Sequence, residues 1–172
     1  MNTVDVTEGE LCSFIESLAP KLKGEVVNIS KSKWDSSARH VMGKNMEKWF
    51  KEYFPSRELS EPWKNYFGYE GQNNKLQRVK IFSSRGCYPD MYFLKPVKIA
   101  IELDHGRTGS TLKNALTKAS FNKLSGDWDR VFVIFFDESH NNKIKTASEN
   151  DEKSQKVKKF YEEHLNTKVI VI

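Results

Sequence analysis

Apolar positions recur along the chain with two periods, and the switches between them outline the elements. In ELCSFIESLAPKL (10–22), Leu11, Phe14, Ile15 and Leu18 fall on one side of a helix that Pro20 is expected to close. SSARHVMGKNMEKWFKEYF (36–54) repeats that spacing with Val41, Met42, Met46, Trp49, Phe50 and Phe54, opened by serine and stopped before Pro55. Pro55, Pro62, Gly68 and Gly71 punctuate 55–74, which reads as a long loop with a helical turn around Trp63–Phe67. The period drops to two in LQRVKIF (76–82), a strand closed by the SSRG turn (83–86). Two more strands follow at about 88–94 and 97–104, joined at Lys95-Pro96. GSTLKNALTKASFNKL (109–124) is helical, with Leu112, Ala115, Leu116, Ala119 and Leu124 on its buried side. DRVFVIFFD (129–137) is apolar without alternation, as a central strand covered on both faces requires. A polar loop over 137–151, a surface helix over 152–165 and a short strand over 168–172 complete the chain.

After the N-terminal helix this order is α-β-β-β-α-β-α-β. It predicts an α/β fold, a mixed β-sheet flanked by helices. The chain reads as one domain over 1–172, with an N-terminal helical extension at about 1–35.

Composition narrows the setting. A hydrophobic content of 38% over 172 residues is enough for one core. No stretch approaches 18 apolar residues, so no membrane span is expected, and the acidic start MNTVDVTEGE does not resemble a secretory or mitochondrial leader. Cys12 and Cys87 make neither a disulfide framework nor a zinc set, which points to a reducing, cytoplasmic setting. The net charge of +5 is unevenly spread: residues 1–20 carry −4, 21–123 carry +10 and 124–172 carry −1. The basic middle suits a polyanion, though a solvated lysine-rich surface has the same composition.

Three carboxylates sit inside that basic region. On the strand VKIAIELD, Val97, Ile99, Ile101 and Leu103 share one face, a core face for the following helix, and Lys98, Ala100, Glu102 and Asp104 share the other. Asp90 begins the preceding antiparallel strand, at the same sheet end as Glu102. A two-residue turn at Lys95-Pro96 would set Asp90 opposite Ile101 and bury it among aliphatic side chains, which an ionised acid does not tolerate. A three-residue connection, Lys95-Pro96-Val97, or a bulge near Pro89–Asp90 shifts the register by one and sets Asp90 opposite Glu102. Converging carboxylates repel unless a cation lies among them. An all-oxygen set favours Mg²⁺ or Mn²⁺, and hydrolysis of a phosphodiester by a metal-activated water is the chemistry such a site performs. Arg85, Arg107 and Lys118 are the candidate DNA contacts. Strand-end acids in solvent, or acids paired with Lys98, Lys80 or Arg85, are the plainer readings of the same residues.

Pro89-Asp90, then eleven residues, then Glu102-x-Asp104 at the end of a hydrophobic strand resembles the active-site signature of the PD-(D/E)xK nuclease superfamily. The element order through 36–137 is similar to that family's restriction endonuclease-like core. ELDHGRTGSTLKNAL resembles the BamHI-like subgroup, which carries a second acid where the family usually has lysine. The resemblance implies a Mg²⁺-dependent DNA endonuclease, with Asp90 and Glu102 as metal ligands. It makes Asp104 a third ligand or the group that orients the attacking water, and Lys113 the candidate for a displaced lysine. Glu47 matches in role an acid that some members supply from the preceding helix. A homodimer would allow both strands to be cut. The alternative is a DNA-binding protein of the same fold that has lost cleavage.

Overall fold

The computed structural model describes residues 6–26, 34–70, 88–125 and 128–172. Helix α1 (Glu8–Val26) opens with a reciprocal cap: Glu10 Oε2 accepts the Thr7 N–H at 2.9 Å and Thr7 Oγ1 accepts the Glu10 N–H at 3.3 Å. The helix does not stop at Pro20 but runs six residues past it. Leu22 explains why. It continues the stripe of Leu11, Phe14, Ile15 and Leu18 and is fully buried, a gain of roughly 1.5–3 kcal/mol that offsets most of the ~3 kcal/mol cost of an internal proline.

Helix α2 (Trp34–Tyr53) buries Met42, Met46, Trp49 and Phe50. Gly43 lets it approach the Tyr69 ring, since a Cβ there would lie 2.4 Å from a ring carbon. Strand β1 (Phe67–Tyr69) follows a short 3-10 turn at Trp63–Asn65. It lies inside the stretch expected to be loop. Its FGY pairs with the next strand, and Trp63 stacks on Phe67 with ring centroids 5.4 Å apart. The strand expected at 76–82 and the SSRG turn lie outside the described residues.

Strands β2 (Met91–Phe93) and β3 (Ile99–Gly106) are antiparallel, with Met91 opposite Ile101, Tyr92 opposite Ala100 and Phe93 opposite Ile99. This is the register that a three-residue connection would impose. Residues 94–98 link the strands through a cis Lys95-Pro96 bond. Helix α3 (Gly109–Leu124) crosses to β4 (Arg130–Asp137), parallel to β3. Helices α4 (Lys143–Asn150) and α5 (Glu152–Leu165) then lead to β5 (Thr167–Val171), parallel to β4. Among the described residues the result is an α/β fold on a five-stranded mixed sheet in the order β1-β2-β3-β4-β5.

Helix α4 lies where a polar loop was expected. Ile144 and Ser148, one helical turn apart, turn inward there, and Asp137 Oδ2 accepts the Lys145 N–H at 2.8 Å in its first turn. Burial would raise the Asp137 carboxyl, but hydrogen bonds from Ser139 and the start of α4 outweigh it and hold the group below its ordinary value. Asp137 is thereby a capping residue.

The two sheet faces have separate cores. Ile99, Ile101, Leu103, Phe132, Ile134 and Phe136 pack with α1 and α2. Ala100, Val131, Val133, Phe135, Val169 and Val171 pack with the helices that follow β3. The central position of β4 agrees with its unbroken apolar run. One expectation is corrected: α3 covers the face of Ala100 and Glu102, whereas the aliphatic face of β3 is covered by the N-terminal helices. Ala100, Ala115 and Ala119 are all fully buried, so small side chains let α3 close down on the acidic face.

Candidate active site

Continuing the β2–β3 register one step past Met91 and Ile101 sets Asp90 opposite Glu102. Cross-strand neighbours share a face, with Cβ atoms about 4.5–5.5 Å apart. Asp90 Oδ2 accepts the Leu103 N–H at 2.7 Å, capping a β3 donor beyond the paired part of β2. The Asp90 backbone carbonyl accepts the Glu70 N–H at 2.9 Å, so the row extends to Glu70 beside β1. Glu70, Asp90 and Glu102 therefore occupy one line across three adjacent chain segments. Glu70 escaped the sequence reading because it lies in the stretch taken as loop. The aromatic alternation of Phe67 and Tyr69 was the signal that could have revealed the strand before it.

Glu102 is the electrostatic centre. It is 3% exposed, and its Oε1 accepts a hydrogen bond from the Asn122 side-chain amide on α3. Burial first, and then the charge of Asp90, raise its carboxyl pKa to about 8; Lys118 and the Asn122 amide oppose the rise, and Asp104 adds to it. Near neutral pH this carboxyl holds a proton. Two facing acids of this kind titrate as a pair, and a cation between them would displace that proton.

Lys118 Nζ lies 3.9 Å from Asp104 Oδ2. Asp104 Oδ1 also accepts the N–H of His105 at 2.8 Å. Helical spacing explains how α3 supplies both Lys118 and Asn122, four residues apart on one flank. Lys113 is on another flank, about 140° around the helix, where it lines a cavity with Leu112 and Leu116. Of the two lysines considered from the sequence, the structure brings Lys118 to the acids. Asn122 was not foreseen, because an asparagine near a helix end carries no periodic signal.

The remaining candidates are spread out. Glu47 is engaged by Lys51 at 2.7 Å on α2, whose buried residues pack on the other face of the sheet from Glu102. Arg107 is exposed just beyond β3, with Nε 4.0 Å from Glu138 Oε2. His105 Nδ1 lies 3.1 Å from Glu138 Oε1. Arg85 lies outside the described residues. Trp49 and Trp128 are buried in the two cores.

Among the described residues, no three His, Cys, Asp or Glu side chains converge as a metal-holding group. The fit to a hard cation rests on the Asp90–Glu102 pair. Mg²⁺ commonly takes one or two protein carboxylates and keeps water in its other positions, and a buried carboxyl facing a second acid is the donor chemistry such an ion stabilises. Among the described residues no helix is long and apolar enough to cross a membrane.

Comparison with protein-family models, curated proteins and solved structures finds no match.

Proposed function

We propose that this chain is a metal-dependent DNA endonuclease with a restriction endonuclease-like core. The observation that carries the reading is Asp90 placed opposite the buried Glu102, with Lys118 on α3 reaching the neighbouring Asp104. Asp90 and Glu102 hold Mg²⁺ or Mn²⁺. When bound, such an ion supplies Lewis-acid stabilisation of charge developing on the phosphoryl oxygens and lowers the pKa of water.

The side chains perform the rest. Asp104, more accessible than Glu102, orients the attacking water and accepts its proton. Lys118 supplies a positive charge to the non-bridging phosphate oxygen. Asn122 holds the Glu102 carboxyl in place through its amide. Arg107, exposed at the same strand end, grips a flanking phosphate through its planar fork. The excess of positive charge over residues 21–123 draws the DNA backbone toward the site. Cutting both strands brings two copies together, one site per strand.

Incubation of plasmid and branched DNA with the protein in Mg²⁺, Mn²⁺ or EDTA tests this. Cleavage with metal and none in EDTA is expected. DNA retention without cleavage under any of these conditions supports the non-cleaving binder instead, and neither retention nor cleavage overturns both.

A further inference from the structure

The flank of α3 opposite Lys118 faces a concavity separate from the acidic row. It encloses about 560 Å³ between the start of α3, helix α4 and helix α5, within the range of small-ligand sites, roughly 300–1,000 Å³. Its walls are aliphatic: Leu112 and Leu116 from α3, Ile144 from α4, Val157 from α5 and Val169 from β5. Its remaining charged lining is of one sign. Arg107, Lys113, Lys143, Lys153 and Lys158 border it, and no Asp or Glu among the described residues does.

The lysines of α5 make the contrast within one helix. Lys156 and Lys159 are paired with Glu152 and Glu163 at 2.5 and 3.6 Å. Lys113, Lys143, Lys153 and Lys158 have no salt bridge among the described residues. Lys153 acts on Asp151 at longer range, but the lysines as a set leave one sign of charge around an apolar hollow, which an anion at the mouth complements. Gly109 also lines the cavity, so the start of α3 lies at its edge, and Thr108 makes no side-chain cap to the helix. The first-turn N–H groups thus add to the positive field at that edge.

We infer that this cavity binds a small amphipathic anion: an alkyl or aryl body against Leu116, Ile144 and Val157, and a carboxylate, sulfonate or phosphate head among the lysines. The aliphatic walls select against a fully solvated ion such as inorganic phosphate, and the basic rim selects against a cationic amphiphile of the same shape. Neither Asp90 nor Glu102 borders the cavity, and Arg107 is the residue it shares with the proposed DNA contacts.

Calorimetric titration of the full chain with alkyl sulfonates of six to ten carbons, below their micelle concentrations, tests the inference. Affinity should rise by roughly three- to fourfold for each added methylene, decyltrimethylammonium should not bind, and inorganic phosphate should compete poorly. Ala147 is exposed at the cavity wall, so Ala147→Trp should fold normally and abolish binding, and Lys113→Glu with Lys143→Glu should weaken it at least about tenfold. Unchanged melting temperatures confirm that these variants are folded. Equal binding of the ammonium, affinity independent of chain length, wild-type binding by a folded Ala147→Trp, or no sulfonate binding would each overturn it.

Discussion

Asp90 stands across from Glu102, one step beyond Met91 opposite Ile101, and its Oδ2 accepts the Leu103 N–H at 2.7 Å. The pairing sets an ionisable group with water access against one that is almost wholly buried. Its consequences are electrostatic before they are catalytic.

Stability of the metal-free protein should fall as pH rises from about 5 to 8. Glu102 has a folded pKa of about 8 against an ordinary value of 4.5, so over this interval the unfolded chain releases a proton that the folded chain keeps. Unfolding free energy then decreases by up to about 1.4 kcal/mol per pH unit, and the loss is complete above the folded pKa. Glu102→Gln removes this contribution. Urea unfolding at several pH values should give a wild-type slope steeper than that of the variant across this window; parallel curves would show that the carboxyl titrates normally.

Asn122→Ala leaves the Glu102 carboxyl without its buried amide donor. The cost should be about 1–3 kcal/mol, and the fall in stability should extend to higher pH because an interaction that favours the ionised form is lost. Denaturant unfolding at pH 6 and pH 9 measures both effects.

Lys118 tests the division between structure and chemistry. Its side chain is half-exposed and its contact with Asp104 is long, so Lys118→Met should change stability by less than about 1 kcal/mol. Cleavage by the same variant should fall by roughly 10²-fold or more, and Lys118→Arg should restore part of it. Lys113→Met, on the other flank of α3, should retain cleavage; comparing single-turnover rates of the three variants checks the assignment.

Gly43→Ala probes the fold away from the site. A methyl group there collides with the Tyr69 ring, so α2 must move off β1 at a cost of about 1–3 kcal/mol. Thermal unfolding should show the loss, with cleavage at low temperature retained.

Periodicity made the regular elements legible. The α3 stripe was clear at Ala115, Leu116 and Ala119, but Leu124, expected on the same buried side, is 71% exposed at the end of the helix. The apolar run of β4 was clear throughout, and the Asp90–Glu102 register followed from the cost of burying an acid among Ile99, Ile101 and Leu103. Local signals failed where tertiary packing decided the outcome. Pro20 reads as a stop, yet buried Leu22 carries α1 beyond it. Phe67–Tyr69 is too short to register as a strand without its β2 partner. Ile144 is one apolar residue in a polar segment, so α4 depends on Asp137 and on the core beneath it. Which flank of α3 faces the acids could not be read from β3 alone, because both faces of that strand are covered. That ambiguity left open which of Lys113 and Lys118 lies beside the acids.

The central claim is that Asp90 and Glu102 together hold a divalent cation, and calorimetric titration with Mg²⁺ or Mn²⁺ in two buffers of different ionisation enthalpy tests it most directly. With Glu102 protonated up to a pKa of about 8, binding at pH 7 should release close to one proton per ion, and the release should fade by pH 9. Asp90→Asn and Glu102→Gln should each abolish the binding. No binding, binding at pH 7 without proton release, or wild-type binding by either variant would contradict the claim.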